Sequence, residues 1–125
     1  MAKVLLVGIE PTTIDFSHPD YADFSHLTPQ KVQESLDHDK ATLEQSGYSV
    51  AMCLATREEL PQTTEDMLKK GKYDCVLVGA GVRAVKANLL CFERVVNVIC
   101  EFAGGARVCF NTNPTDSAEA VKRWV

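Results

Sequence analysis

Glycines and polar side chains follow three apolar runs of this sequence, and together they have the chemistry to hold a small molecule. The apolar run at residues 74–78 leads directly into the segment 79–83, which contains Gly79, Gly81 and Arg83. Glycine lets backbone amides approach a ligand closely, and a guanidinium can bind a carboxylate or phosphate through two parallel hydrogen bonds. The candidate ligand-binding residues are Glu10, Thr12, Gly79, Gly81, Arg83, Asn111, Thr112 and Asn113. Their chemistry favours a polar or anionic ligand.

A structural interpretation of the same residues stays open. Gly79 and Gly81 are also typical of a tight turn. Arg83 could form an ion pair with Glu10 or Asp15, and a surface pair of that kind is worth about 0–1 kcal/mol. The glycine spacing is not that of a dinucleotide-binding turn, because the third glycine is missing and the motif follows the third apolar run instead of the first.

Residues 10–27 form a long segment with no helical or strand period. A loop of this length in a small domain is usually functional or disordered. It carries enough apolar side chains to pack, so we expect it to be ordered. Those side chains are Ile14, Phe16, Tyr21, Phe24 and Leu27.

The same segment contains potential metal ligands, namely Asp15, His18, Asp20, Asp23 and His26. Imidazole and carboxylate together suit zinc or another first-row metal. The spacing matches no metal motif, however, and Asp in loops usually forms local turns. We therefore expect no metal to bind stably.

The elements that would position these residues alternate strand and helix four times. The predicted strands are residues 3–9, 48–55, 74–78 and 106–110, and the predicted helices are residues 29–46, 61–70, 88–102 and 115–125. Such alternation gives a parallel sheet covered by helices on both faces. Right-handed crossovers favour the strand order 2-1-3-4. The sequence therefore predicts one domain over residues 1–125, a three-layer, flavodoxin-like α/β fold with a mainly parallel four-stranded sheet. Its site would lie at the carboxyl ends of the strands.

This topology resembles that of response-regulator receiver domains over most of the chain. The motifs differ, because Gly79-Ala80-Gly81 stands where a receiver has its phosphoacceptor aspartate. The chain also lacks the phosphate loop of flavodoxins, to which Pro11-Thr12-Thr13 is only faintly similar. The chain is most similar to short, uncharacterised bacterial single-domain proteins with GI-x-P, GAG-x-R and FNT-x-P turns. That resemblance implies a fold and no activity.

Composition limits the partners of the chain. With 125 residues and a formal net charge of −4 it has no basic excess for nucleic acid. No apolar run reaches the ~18 residues of a membrane span. A strand that starts at Lys3 leaves no room for a signal peptide, so we expect the protein in the cytoplasm. The 5 cysteines have no C-x-x-C spacing, which indicates buried thiols in a reducing compartment, with Cys100 at an interface.

Two functions fit these observations. The first is a small-molecule site, binding or catalytic, with its cofactor unknown. The second is a non-enzymatic interaction module that acts as a homodimer. The third predicted helix favours the homodimer, because its apolar arc, widened by Val95, Val98 and Phe102, exceeds what one sheet contact needs. The fourth strand would also be an uncovered edge.

Overall fold

The computed structural model of the chain describes residues 2–113 and 115–125, in which four strands form one sheet. The strands are β1 (Lys3–Ile9), β2 (Ser49–Ala55), β3 (Cys75–Val78) and β4 (Arg107–Phe110). They pair in the order β2-β1-β3-β4 and all pairs are parallel. In this register Val4 of β1 lies opposite Val50 of β2 and Cys75 of β3. The predicted three-layer, flavodoxin-like arrangement with strand order 2-1-3-4 is confirmed.

Helices connect and flank the strands. They are α1 (Pro29–Gln45), α2 (Leu60–Lys70), α3 (Ala80–Arg83), α4 (Leu89–Phe102) and α5 (Ser117–Lys122). Helix α1 begins where the sequence predicts, because the Thr28 hydroxyl accepts a hydrogen bond from the Lys31 amide at 3.1 Å and proline occupies the first helical position. The chain leaves α1 through Gly47, whose φ of 95° favours glycine.

Three local predictions are wrong. The segment 10–27 was expected to lack helical structure, but it contains two short 3-10 helices, Pro11–Thr13 and Pro19–Phe24. The two-glycine turn is absent from the described chain, because Gly79 is extended and caps α3, and Gly81 lies inside that helix without a positive φ. The last helix was predicted over residues 115–125, but α5 spans only the 6 residues Ser117–Lys122.

The two faces of the sheet carry separate hydrophobic cores. On the first face, α2, α3 and α4 pack against β-strand residues such as Val7, Cys53 and Val78. On the second face, α1 and α5 pack against Val4 and Leu77. The second face is covered less completely by helices, because α5 is short and contributes mostly alanine to the core.

The apolar arc of α4 is largely used inside the monomer. Val95 is fully buried, and Val98 and Phe102 pack against the core of the first face. The large hydrophobic residues of α4 that remain exposed are Leu89 and Leu90, at 55% and 59% of their full surface.

Within residues 2–113 and 115–125, no helix has the length and apolar character needed to cross a membrane.

Candidate functional site

Asn111 joins the turns that follow β3 and β4. Its side-chain Oδ1 accepts a hydrogen bond from the Ala80 amide at 2.6 Å, and its Nδ2 donates to the Ser117 hydroxyl at 2.9 Å. The Asn111 residue is only 3% exposed. The side chain was predicted to bind a ligand, and the structure uses most of its hydrogen-bonding capacity to fix the two turns beside the sheet.

Arg83 also stabilises the turn after β4. Its Nη2 donates to the Asn111 carbonyl at 2.8 Å. The Nε atom is buried and has no hydrogen-bond partner among the described residues. In the described part of the chain neither Glu10 nor Asp15 forms an ion pair with it. The suggested Arg83 ion pair is therefore absent there, and the guanidinium binds backbone instead.

The polar residues after Asn111 satisfy one another. The Asp116 carboxylate accepts hydrogen bonds from the Thr112 amide at 3.0 Å and the Asn113 amide at 3.3 Å. Asn113 Oδ1 accepts from the Thr115 amide at 2.8 Å, an Asx-type turn. Burial raises the pKa of Asp116, but the hydrogen bonds from Thr112 and Asn113 outweigh it, and the pKa lies below its ordinary value. Pro114 of the FNT-x-P turn lies outside the described residues.

Glu10 and Thr12 likewise make local contacts. The Thr12 hydroxyl donates to Glu10 Oε1 at 3.3 Å, and the Thr13 hydroxyl donates to the Glu10 carbonyl at 2.7 Å. These bonds shape the first 3-10 helix after β1.

An apolar cavity of about 240 Å³ lies at the carboxyl ends of β1 and β3, on the second face of the sheet. Its walls come from four parts of the molecule: the ends of the strands, the first half of α1 with Val32 and Leu36, apolar side chains of the segment 10–27, and residues that follow β3 and β4. Four of the eight candidate ligand-binding residues line it, namely Gly79, Gly81, Asn111 and Asn113. Glu10, Thr12, Arg83 and Thr112 are not part of this lining.

Gly8 explains why the cavity exists. Side chains alternate between the faces of a strand, so Gly8 continues the row that Val4 and Leu6 begin on the second face. It contributes no side chain to this row, and a Cβ at this position would lie 3.5 Å from Leu54 Cδ2. The sequence analysis missed Gly8, although a glycine that interrupts an apolar row is a visible signal.

The inner end of the cavity is polar. Ser117 and Asn111 line it and are 1% and 3% exposed. Asp39 of α1 is close to Ser117 but does not line the cavity, and it is 2% exposed. Burial raises the pKa of Asp39 above its ordinary value, and the proximity of Ser117 offsets this rise in part. Asp39 Oδ2 has no hydrogen-bond partner among the described residues.

Asn88 connects the segment 10–27 to the rest of the site. It is fully buried. Its Nδ2 lies 2.9 Å from the Gly81 carbonyl and 3.3 Å from the Tyr21 hydroxyl, and its Oδ1 accepts from Arg57 Nη1 at 3.3 Å. Three loops at the carboxyl end of the sheet thus meet at one amide. In the sequence Asn88 looked only like a helix start, and no pattern there pointed to this role.

A second pocket of about 260 Å³ lies on the other side of Ile14 and Tyr21, and its lining is mixed. Asp15, His18 and Asp20 line it, opposite Arg57 and Glu58. The potential metal ligands do not converge, because the described residues contain no group of three or more His, Cys, Asp or Glu that could hold a metal ion. Hydrogen bonds from the Ser17 side chain and backbone lower the pKa of Asp15. His18 Nδ1 accepts from the Asp20 amide at 3.1 Å. These groups stabilise the turns of the segment.

Comparisons with protein-family models, with curated proteins and with solved structures found no match to this chain.

Proposed function

We propose that this protein binds a small, uncharged, mainly apolar molecule in the cavity at the carboxyl ends of β1 and β3. The observation that supports the proposal is the size and lining of that cavity. An apolar cavity of about 150 Å³ is enough to bind benzene in another protein. The present cavity measures about 240 Å³, with walls from Leu36, Leu54, Leu77 and Phe24 among others. It has room for a substituted aromatic ring.

The charges around the cavity argue for an uncharged ligand. Asp23 and His26 are the titratable side chains of its lining apart from Tyr21, and no Lys or Arg belongs to the lining in the part of the chain that the structure describes. A carboxylate or phosphate buried here would lack a cation, and a buried charge without a partner is costly. The anionic ligand suggested by Arg83 is therefore replaced in this proposal by a neutral one.

The segment 10–27 supplies the cover of the site. Ile14, Phe16, Tyr21, Phe24 and Leu27 are half-buried and line the cavity from outside. Phe16 packs on the edge of Tyr21, with ring centroids 5.5 Å apart. The backbone hydrogen bonds described for residues 11–27 join residues three positions apart. The segment can therefore move as a unit to admit a ligand without breaking pairing in the sheet.

Filling the cavity tests the proposal. Gly8→Leu places a side chain in the second-face row, and its Cβ would lie 3.5 Å from Leu54 Cδ2, an ordinary contact. We expect the variant to lose binding of the neutral probe para-ethyltoluene without a lower unfolding temperature, because filling the space adds apolar contacts. Binding is measured on the unmodified protein by NMR chemical shifts and by the rise in unfolding temperature that a native-state ligand causes.

The matched control is Gly81→Ala, which also changes a glycine of the lining. A Cβ at Gly81 meets no atom within 4 Å, so this variant should retain binding. If para-ethyltoluene does not bind the unmodified protein, or if Gly8→Leu binds it equally well, the cavity is not a ligand site.

A second candidate is the non-enzymatic homodimer, which the exposed leucines favour. Leu89 and Leu90 at the start of α4 are adjacent and more than half exposed, and Trp124 is 55% exposed. Sedimentation at micromolar concentration should then show a dimer that Leu89→Ser/Leu90→Ser converts to a monomer. A monomer in the unmodified protein would exclude this candidate.

A further inference from the structure

The side chain of Asn111 has a fixed orientation at the inner end of the cavity. A backbone amide can only donate a hydrogen bond, so the Ala80 amide at 2.6 Å identifies the Asn111 atom facing it as the acceptor Oδ1. The nitrogen Nδ2 therefore lies on the other side of the amide group, where it donates to Ser117 Oγ at 2.9 Å. These two contacts determine which end of the Asn111 amide is the donor.

One N–H of this amide is left over. An amide nitrogen carries two N–H groups, and the described residues supply Nδ2 of Asn111 with one acceptor, Ser117 Oγ. Asn111 is 3% exposed and lines the cavity, so its remaining N–H is nearly inaccessible to water. A buried N–H without a partner is rare in proteins, because it costs about as much as a lost hydrogen bond. An acceptor placed in the cavity would satisfy this group.

The neighbouring backbone acceptors of the lining, in contrast, are already bonded. The Gly79 carbonyl accepts from the Val82 and Arg83 amides at 3.0 Å and 3.1 Å. The Gly81 carbonyl accepts from Asn88 Nδ2 at 2.9 Å. A carbonyl oxygen with one hydrogen bond is tolerated in protein interiors more readily than an N–H with none. The unmet demand beside the turn after β3 is therefore for an acceptor.

Asn113, which also lines the cavity, repeats the pattern of Asn111. Its Oδ1 accepts from the Thr115 amide at 2.8 Å, and its Nδ2 donates to one group, Thr112 Oγ1, at 3.2 Å. Both amides of the turn after β4 thus use their oxygen on a backbone amide of the protein and keep one N–H each. Asn111 is the buried one of the two, so its N–H is the one that water does not satisfy.

We propose that the ligand of this cavity presents an uncharged hydrogen-bond-accepting oxygen to Asn111 Nδ2, as a ketone, an ester or an alcohol does. The inference rests on the proposed small-molecule function and names the chemical class of its ligand. A pure hydrocarbon would leave the buried N–H unpaired, and a site with such a group discriminates against a ligand that cannot bond to it. A ketone oxygen accepts hydrogen bonds and cannot donate one, so it isolates this chemistry in a test.

The test compares para-methylacetophenone with para-ethyltoluene, two probes that differ by a carbonyl oxygen in place of two hydrogens of the ethyl group. The variant Asn111→Asp keeps an oxygen for the Ala80 amide and replaces both N–H groups by a second oxygen. The quantity compared is the ratio of the two dissociation constants in each protein at about pH 8, where a carboxyl group is ionised. The different hydration of the two probes cancels in this comparison.

We expect Asn111→Asp to weaken para-methylacetophenone about five- to tenfold relative to para-ethyltoluene, the loss of about one hydrogen bond. The matched control is Asn97→Asp, which makes the same chemical change at an exposed position of α4 outside the cavity lining. This control should leave the ratio unchanged. The secondary alcohol that corresponds to the ketone distinguishes the sources of the oxygen: an equal loss in Asn111→Asp shows that any acceptor oxygen serves, and a loss for the ketone alone shows that it is a carbonyl.

A measurement on the unmodified protein covers the case in which Asn111→Asp does not fold. The carbonyl stretching band of bound para-methylacetophenone should lie at a lower frequency than in an alkane solvent, because a hydrogen bond weakens the C=O bond. One of the two Asn111 side-chain N–H signals should also shift with the ketone and stay in place with the hydrocarbon. Equal ratios in all three proteins, or a bound ketone whose band lies where it does in alkane, would overturn the acceptor inference while leaving the binding function in place. If neither probe binds, the proposed function fails and this inference fails with it.

Discussion

The two faces of the sheet are built from the same strands but are completed in different ways. On the first face, the helices α2 and α4 lie side by side, and large side chains such as Leu60, Leu68 and Ile99 fill the space over the strands. On the second face, α1 and the short α5 do not fill the space at the carboxyl ends of β1 and β3. The segment 10–27 covers that area together with the first half of α1, and a cavity lies between them.

This difference in packing suggests that the first face mainly stabilises the fold, while the second face leaves room for a ligand. A closely packed face gains from every methylene it buries, while a face with a cavity forgoes part of that gain and keeps a space for another molecule. The arrangement places the space at the end of a parallel sheet where such folds usually bind ligands. The following predictions test this contrast between the two faces, beginning with the largest expected effect.

Two leucine truncations compare the faces directly. Leu68→Ala on α2 removes a side chain that is 5% exposed in the first core, and it should lower the free energy of unfolding by about 2–4 kcal/mol. Leu36→Ala on α1 removes one that already borders the cavity, so it should cost about 1 kcal/mol or less. Urea unfolding measures both. Equal costs would show that the second face is packed as tightly as the first.

Asn88→Ala tests how the segment 10–27, which covers the second face, is attached to the neighbouring loops. It removes the amide that contacts Tyr21, Gly81 and Arg57, and leaving such buried groups unpaired should cost about 1–3 kcal/mol. Hydrogen exchange should accelerate in residues 11–27 more than in the strands. Asn97→Ala, at an exposed position of α4, is the control and should have little effect on either measurement. Unchanged exchange in residues 11–27 would mean that apolar contacts alone hold the segment.

Arg83→Ala distinguishes the neutral cavity from an anionic site. It removes the hydrogen bond to the Asn111 carbonyl, so it should cost about 1 kcal/mol of stability. Because Arg83 does not line the cavity, the affinity for para-ethyltoluene should stay within about twofold. Lys86→Ala, another cation near α4, serves as the control. If Arg83→Ala lost most of the binding and Lys86→Ala did not, Arg83 would be part of the ligand-binding site.

The smallest effect concerns pH. Burial raises the pKa of Asp39 in the folded state, so its contribution to the free energy of unfolding falls as pH rises from the ordinary carboxyl value to the raised one. The stability of Asp39→Asn relative to the unmodified protein should therefore increase with pH across that window. Urea unfolding from about pH 3 to about pH 8 measures it.

Asp116 provides the opposite sign. Its pKa in the folded state is lowered, so its stabilisation is present above the ordinary carboxyl value and is lost as pH falls through the lowered one. The stability of Asp116→Asn relative to the unmodified protein should decrease with pH. If the relative stabilities of Asp39→Asn and Asp116→Asn changed with pH in the same direction, the raised pKa of Asp39 would be contradicted.

The sheet was predicted well because the sequence signals for its strands and connections each lie within a few neighbouring residues. Apolar runs of strand length, the Thr28-Pro29 start of α1 and Gly47 at its end each depend on a few neighbouring residues. Together with right-handed crossovers they define the strand order. The 3-10 helices and the length of α5 were predicted wrongly, because elements of three to six residues are too short to show a helical period in the sequence.

The site was harder to predict because the same side chains can bind a ligand or bind each other. Asn111 and Asn113 do lie at the cavity, as their positions after β4 indicated. The hydrogen bonds of Asn111 to Ala80 and Ser117 join different elements, and the sequence does not show that these residues lie within hydrogen-bonding distance. A polar residue at the end of a strand therefore predicts the location of a site better than it predicts a ligand contact.

The local hydrogen bonding of residues 11–27 has a consequence for how this protein could change. The strands satisfy their backbone groups without this segment, so its sequence can vary without unpairing the sheet. Substitutions at positions such as Phe16 and Phe24 would reshape the cavity and leave the folding core on the opposite face untouched. Descendants of this chain, natural or engineered, could thus acquire new ligands by exchanging one contiguous stretch while inheriting the rest intact.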